Sequence, residues 1–276
     1  MNHLLTFSDK QTMKDAGKFI KKGHVKIYSR YTGKLLFEGI HRTPTREGNN
    51  KVIVPGSITA ARKFFPGLKP TIVTPSYNDA LGLDNSQAIT TTEEINCGIY
   101  LFAIGTDGCG AENSQVYDVD YTKWISPSAL VPFKYQPSTN DLTAEQRKTF
   151  FGRKNGTSRI AYYFKGFNGD PELHIQYVDG TEMDENVYTT DNNMGGEVYV
   201  SSKMSIEADE CREFFKQTTG LSSAQINSIS LLTAYPKVIN GYTYYQSIRP
   251  ITKYNFSNIS LTDETLGLDI IYDLYF

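Results

Sequence analysis

The sequence contains few of the residues that would place it in a disulfide-rich or membrane class. Three cysteines in 276 residues are too few for a disulfide framework, and their odd count favours reduced thiols in a protein made in the cytoplasm. No apolar run approaches the ~18 residues that span a bilayer, so no membrane contact is predicted. The segment MNHLLTFSDK has no basic stretch followed by an apolar core, and no secretory signal is predicted.

An excess of charge of one sign is also missing. The formal net charge is −2 at pH 7, which lacks the basic excess expected of a general nucleic-acid binder. Basic residues do crowd the N-terminal region, but such a run is more often a solvated face than a nucleic-acid contact. These residues are Lys18, Lys21, Lys22, Lys26, Arg30 and Lys34.

Motifs that bind cofactors or metals are absent as well. The chain has no Walker loop and no GxGxxG, GxSxG or HExxH sequence, so no cofactor is predicted. The three cysteines lie too far apart for zinc-ligand spacing. The pair Asp118-x-Asp120 is not followed by a D-x-D-x-D-G run, which favours solvated acids over a calcium site. Its acidic neighbours are Asp107 and Glu112.

Aromatic residues, by contrast, are plentiful: they make up 13% of the chain and include 19 tyrosines. Tyrosine suits half-buried strands and protein interfaces, where the ring is buried and the hydroxyl stays wet. Short alternating segments separated by turn residues then predict a β-dominated α+β fold. We expect a mostly antiparallel sheet or sandwich with three or four short helices and a long loop or arm.

Three segments predict particular strand arrangements, namely two hairpins and one buried strand. Residues 24–40 alternate around the turn Tyr31-Thr32-Gly33-Lys34 and predict a hairpin. The segments RIAYYFKGF and ELHIQYV flank Asn168-Gly169-Asp170-Pro171 and predict a second hairpin. The continuous apolar run from Ile99 to Ile104 predicts a buried strand.

Capping residues mark the predicted helices. Ser8 and Ser57 begin two of them in the N-terminal region. The capping box Thr143-Ala144-Glu145-Gln146 predicts a helix that ends at Gly152. A further helix is predicted over residues 208–218, and Ser222 caps a short one after it.

We expect one β-rich domain over residues 1–276. Residues 66–92 carry several prolines and glycines among polar residues, and they predict an extended loop or docking arm with one short strand at 71–74. A loose seam near residues 136–143 is the one place where the chain would divide into two lobes.

The stretch from Asn96 to Arg153 combines an apolar strand-like run, a glycine-rich turn, aromatic segments and a short capped helix. Within it, Cys109 stands between Gly108 and Gly110 on a predicted turn and is the minority candidate for a catalytic nucleophile. A nucleophilic thiol needs a base, and all four histidines are distant in sequence. We favour the alternative, in which the glycines supply positive φ and Cys109 is a small packed residue.

The same stretch is rich in aromatic residues, which would line a sugar-binding platform, pack in the core or form an interface between subunits. These residues are Tyr117, Tyr121, Trp124, Phe133 and Tyr135. Core and interface together are favoured over the platform. The candidate interface residues are Tyr117, Tyr121, Trp124, Phe133, Pro70, Pro75 and Tyr77.

At these residues the chain resembles a group of tailed-bacteriophage virion structural proteins. The segments that carry the resemblance are FAIGTDGCGAENSQVYDVDYTKWISPSALVPFKYQ, FFGRK, IAYYFKGF, YVDGT, CREFF and SIRPITKYNFSNISLTDETLGLDIIYDLYF. The resemblance implies a repeated, non-enzymatic part of the phage particle in the neck, tail or baseplate. It brings no functional residue with it, since none of these segments is a functional motif.

The leading hypothesis is therefore a structural subunit of a virion, made in the host cytoplasm. It would bind copies of itself, as a ring or multi-copy homo-oligomer, and other virion proteins in the neck, head-to-tail connector or tail. Assembly proteins need interfaces, arms and edge strands more than reactive groups. The alternatives are a baseplate component, a receptor- or carbohydrate-binding module, and a cysteine-dependent hydrolase centred on Cys109.

Overall fold

The structure is a computed structural model that describes residues 22–42, 50–52, 77–84, 98–110, 115–119, 124–177, 196–221, 224–261 and 267–275. Its strands are β1 (Lys22–Ser29), β2 (Leu35–Arg42), β3 (Asn50–Val52), β4 (Gly98–Gly105), β5 (Lys134–Pro137), β6 (Phe150–Asn155), β7 (Arg159–Gly166), β8 (Glu172–Tyr177), β9 (Gly196–Glu207), β10 (Ala224–Ile239), β11 (Tyr242–Pro250), β12 (Thr252–Leu261) and β13 (Gly267–Tyr275). The helical segments are α1 (Tyr77–Leu81), a 3₁₀ helix (Gln146–Lys148) and α2 (Arg212–Thr218).

The described strands form two sheets. One has five strands in the order β2-β1-β13-β9-β8. The other has eight strands along the path β3-β12-β10-β4-β7-β5, with β11 paired to β10 and β6 paired to β7. Every strand pair in the described part of the chain is antiparallel. The β-dominated, antiparallel prediction is therefore confirmed.

The two sheets share one hydrophobic core. Ile27 of β1 and Ile270 of β13 belong to the same buried cluster as Phe102 of β4 and Leu231 of β10. Alternate side chains point to opposite faces of a strand, so each sheet turns one apolar row toward the other. This face-to-face burial makes the described strands a β-sandwich.

Strand β4 is apolar at consecutive positions because both of its faces are covered. Phe102 and Ile104 face the core between the sheets, whereas Leu101 and Ala103 belong to a second buried cluster on the opposite face of the eight-stranded sheet. Helix α1 caps this second cluster through Tyr77, which has no exposed surface. The predicted strand over residues 99–104 is confirmed, and it is buried from Leu101 onward, whereas Tyr100 is 37% exposed.

One of the two predicted hairpins is correct. Strands β1 and β2 pair around the predicted turn, where the Ser29 N–H donates to the Lys34 carbonyl at 2.9 Å. The second hairpin is wrong, because β7 belongs to the eight-stranded sheet and β8 pairs with β9 in the other sheet. The turn at Asn168–Gly169 therefore carries the chain from one layer of the sandwich to the other.

The described residues contain two α-helices and one 3₁₀ turn. The Thr143 capping box does form: the Gln146 N–H donates to Thr143 Oγ1 at 3.3 Å, and the Thr143 N–H to Gln146 Oε1 at 3.0 Å. It opens only a 3₁₀ turn, because the chain joins β6 at Phe150. The helix expected from Ser222 is wrong, since β10 begins at Ala224.

The helix expected over residues 208–218 is confirmed over its second half, as α2. The helices expected from Ser8 and Ser57 lie outside the described residues. Neither of the two described α-helices has the length and apolarity needed to cross a bilayer.

A buried ion pair connects the two layers next to α2. Lys165 of β7 and Glu210, in the turn after β9, are only 3% and 2% exposed. Lys165 Nζ donates to Glu210 Oε1 at 2.9 Å and to the Ser205 carbonyl at 2.8 Å. Glu210 also accepts from the Glu207 N–H at 3.2 Å. The pair is thus hydrogen-bonded on both sides, as a buried charge requires.

Candidate functional site

The turn that carries Cys109 follows β4 and packs against β10. Cys109 is buried, and its Sγ accepts from Asn227 Nδ2 at 3.3 Å and donates to Asn258 Oδ1 at 3.5 Å. The Gly108 N–H donates to Asn227 Oδ1 at 2.6 Å. Amides accept and donate hydrogen bonds but do not take up a thiol proton at neutral pH, so these two contacts do not activate Cys109.

The glycines of this turn serve a different purpose from the one predicted. Gly105, Gly108 and Gly110 all lie outside the left-handed region, so positive φ is not the reason for them. A Cβ added to Gly108 would lie 1.9 Å from the Asn227 carbonyl oxygen. Gly108 is therefore needed because the turn presses directly on the backbone of β10.

The carboxylate of Asp107, in the same turn, is paired with a lysine inside the fold. Asp107 Oδ2 lies 3.0 Å from Nζ of Lys253, whose side chain is only 6% exposed. Asp107 also accepts from the Ser126 N–H at 2.9 Å and from Ser228 Oγ at 3.0 Å. No group of three metal-ligating side chains occurs in the part of the chain that the structure describes. Glu112 and Asp120 lie outside it.

Two of the predicted interface aromatics lie in the interior. The Trp124 ring stacks on Tyr77 with 4.3 Å between centroids, and Tyr77 Oη donates to the Ile125 carbonyl at 2.8 Å. Phe133 is 1% exposed and packs edge-on against Phe102. Tyr77 and Phe133 are therefore core residues and not surface contacts of this chain, and residues 77–84 of the predicted arm are part of the packed fold.

The remaining candidates are divided. Tyr117 is 46% exposed, so it is available for contact. Tyr135 is half-buried and packs edge-on against Phe214 at 5.6 Å. The described rings are thus not assembled into one sugar-binding platform. Pro70, Pro75 and Tyr121 lie outside the described residues.

The structure brings together a different set of side chains, which we call the tyrosine–arginine cleft. This cleft has a volume of about 360 Å³. The lining residues that carry its chemistry are Asp84, Asp141, Arg147, Arg153, Tyr242 and Tyr245. They come from the loop after α1, the segment between β5 and β6, β6 itself and β11.

One wall of the cleft is a network around Asp141. Its Oδ1 accepts from Tyr162 Oη at 2.5 Å and from the Leu142 N–H at 2.7 Å. Its Oδ2 lies 3.2 Å from Arg147 Nη2 and 3.4 Å from Arg153 Nη2. Arg153 reaches across to Asp84 as well, with Nη1 donating to Oδ2.

The cleft is also lined by tyrosine rings that contact this network. The Arg147 guanidinium lies over the Tyr242 ring at 5.4 Å, a cation–π geometry. Tyr245 packs edge-on against Phe151 with 4.7 Å between centroids and an interplanar angle of 87°. A concave surface that combines aromatic rings with convergent polar groups is typical of small-molecule sites.

Sequence reasoning missed this cleft. Its residues come from segments that are separated by up to about 160 positions, and no spacing rule connects them. The run Tyr242-Thr243-Tyr244-Tyr245 at the start of a strand was the one local signal available. Half-buried tyrosines beside a tight turn are typical of binding surfaces, because the ring packs while the hydroxyl stays accessible.

Acid titration should report on the cleft. Burial opposes ionisation of Asp141, but hydrogen bonds from Tyr162 and Leu142 and the charges of Arg153 and Arg147 outweigh it and hold the pKa of this carboxyl below its ordinary value. Asp141 therefore stabilises the fold above the unfolded-state pKa, and this contribution is lost as the pH falls. We expect Asp141→Asn to flatten the decline in urea-unfolding midpoint between about pH 5 and pH 2.

Tyr162→Phe is the matched variant, because it removes one hydrogen bond to Asp141 and keeps the ring. It should flatten the decline by less than Asp141→Asn does. An Asp141→Asn variant with the same pH dependence as the parent would contradict the assignment.

Comparison with family models, with curated proteins and with solved structures gives no match.

Proposed function

We propose that the chain is a structural subunit of a tailed-phage virion that assembles with copies of itself and with neighbouring virion proteins, without catalysis. Its place would be the neck, the head-to-tail connector or the tail. The observation that carries the assembly role is a set of exposed apolar side chains on the β1–β2 hairpin, which we call the apolar strip. Tyr31, Leu35, Leu36 and Ile40 are 68%, 42%, 38% and 49% exposed. Leu36 and Ile40 share one face of β2, with Glu38 between them, and Leu35 points to the other face. The phage assignment is supported by the resemblance of segments such as FAIGTDGCGAENSQVYDVDYTKW.

The strip lies on an edge strand. In the five-stranded order, β2 is the outermost strand and pairs with β1. Ile40 is opposite His24, and Glu38 is opposite Lys26, so charged side chains border the apolar residues. An edge strand that exposes apolar side chains is a template for another chain. A second copy of this chain is the occupant that we propose for it.

The two thiols in the described part of the chain, Cys109 and Cys211, support a non-enzymatic role. Burial raises the pKa of the Cys211 thiol well above its ordinary value, which opposes formation of the nucleophilic thiolate. Cys109 is buried against two asparagine amides. The histidines whose side chains are described, His24 and His174, lie on the five-stranded sheet, where their neighbours include Glu38 and Glu172.

Leu36→Lys combined with Ile40→Lys should weaken self-association at least about tenfold, because each change removes an aliphatic side chain worth about 1.5–3 kcal/mol when fully buried. Light scattering after size-exclusion chromatography, over a series of protein concentrations, measures the change in the dissociation constant of self-association. Val238→Lys is the matched control, since Val238 is 70% exposed on the β10–β11 hairpin. A parent chain that stays monomeric at all concentrations would contradict the interface.

The virion assignment has its own test. In particles purified from the phage whose genome encodes this chain, mass spectrometry should find it in several copies per particle. Antibody labelling of those particles in the electron microscope should mark the neck or tail. Label at the tail tip would favour the baseplate alternative, and absence from purified particles would remove the proposal.

A further inference from the structure

We propose that the tyrosine–arginine cleft is a binding site for a neutral saccharide. This proposal is independent of the assembly role, because the cleft lies on the eight-stranded sheet and the apolar strip on the other. Its volume of about 360 Å³ falls within the ~300–1,000 Å³ of small-molecule sites.

The charge balance of the cleft favours a neutral ligand. Arg153 is paired with both Asp84 and Asp141, and Arg147 is paired with Asp141. Two carboxylates thus compensate two guanidinium groups, and an anion would gain little net electrostatic attraction. The cleft would therefore recognise a ligand through its hydrogen-bonding groups and not through a net charge.

Those groups have capacity left for a ligand. A guanidinium has five N–H donors in a planar fork. The described hydrogen bonds of Arg147 use Nε, which donates to the Leu142 carbonyl at 3.3 Å, and Nη2, which donates to Asp141. Asp84 accepts from Arg153 and from Asn155 Nδ2, which lies 3.1 Å from Oδ1 and 2.9 Å from Oδ2, so it has little acceptor capacity left. The remaining donors of Arg147 are the groups that adjacent sugar hydroxyls, each both donor and acceptor, can satisfy.

The aromatic geometry of the described cleft residues offers no slot between parallel rings, which is the arrangement that holds a flat base on both of its faces. Tyr245 and Phe151 meet edge-to-face at 87°, and Arg147 covers one face of Tyr242. A pyranose ring needs only one apolar patch for its C–H groups, with donors and acceptors around its rim. The rings and the polar network of the cleft supply this combination.

The proposal is tested by saturation-transfer NMR and calorimetry with maltose, lactose, cellobiose and chitobiose as neutral probes. AMP and citrate serve as the flat and the anionic probes. We expect at least one neutral disaccharide to bind. Tyr242→Leu, which removes the ring face, should weaken that binding about tenfold or more. Arg147→Met, which removes donors, should weaken it also.

Tyr31→Leu is the matched control, because it removes an exposed tyrosine from the other sheet. It should leave saccharide binding unchanged. Circular dichroism and the thermal midpoint of each variant separate lost binding from lost folding. Binding of AMP or citrate without binding of any neutral disaccharide, no binding by any probe, or equal loss in Tyr242→Leu and Tyr31→Leu would overturn the proposal.

Discussion

Lys165→Met should lower the free energy of unfolding by about 3–5 kcal/mol, the range for breaking a buried ion pair by removing one partner. Methionine fills nearly the same space, so lost packing is not the cause. The cause is the Glu210 carboxylate, which would stay buried at 2% exposure without its cation. The Ser205 carbonyl would lose its lysine donor at the same time. Urea unfolding of parent and variant at pH 7 measures the difference.

The size of this effect should depend on pH. Burial raises the pKa of Glu210 above its ordinary value, and Lys165 opposes that rise. Without Lys165 the carboxyl would be protonated over a wider pH range. A raised folded-state pKa gives stability that is present at low pH and lost as the pH rises, so the deficit of Lys165→Met should be smaller near about pH 5 than near pH 8.

The matched control is the double variant Lys165→Met with Glu210→Gln. It removes the charge and keeps an acceptor for the Glu207 N–H. The double variant should recover most of the loss, because replacing both partners of a buried pair is often close to neutral. Losses that simply add in the double variant would contradict the ion-pair account, since coupled partners are not additive.

Local patterns predicted the elements whose partners are close in sequence. The β1–β2 hairpin follows from alternation around Gly33, and β4 from its uninterrupted apolar run, which is covered on both faces from Leu101 onward. The β7–β8 hairpin failed because Asn168–Gly169 satisfies local turn chemistry equally well in a crossover between layers. The buried Lys165 and Glu210, which bridge those layers, gave no sign in the sequence that they would be inside.

Sequence patterns located only the part of the candidate site that is formed by residues close together in the chain. The turn around Cys109 was located correctly, but whether its thiol is exposed depends on Asn227 and Asn258, which are more than 100 positions away. The tyrosine–arginine cleft exists only after β6 and β11 lie against each other. Sequence spacing on a single strand holds no information about such long-range contact, which is why the aromatics chosen from one segment were not the ones that line the cleft.

Gly108→Ala should lower the free energy of unfolding by about 3 kcal/mol, from steric overlap and the loss of a buried hydrogen bond. The new methyl group would lie 1.9 Å from the Asn227 carbonyl oxygen and 2.7 Å from the carbonyl carbon. These are backbone atoms of a strand in the middle of the sheet, so they cannot move aside as a side-chain end would. Relief must come from the turn, which would break the 2.6 Å bond from the Gly108 N–H to Asn227 Oδ1.

Gly110→Ala in the same turn is the matched control. Its added Cβ would meet Tyr117 Oη at 3.4 Å, an ordinary contact, and its backbone lies outside the left-handed region. We expect its free energy of unfolding to stay within about 0.5 kcal/mol of the parent. If the two variants are equally stable by urea unfolding, the turn does not press on β10. If Gly108→Ala is also the one that exposes Cys109 to a thiol reagent, the close approach at Gly108 is what keeps that cysteine buried.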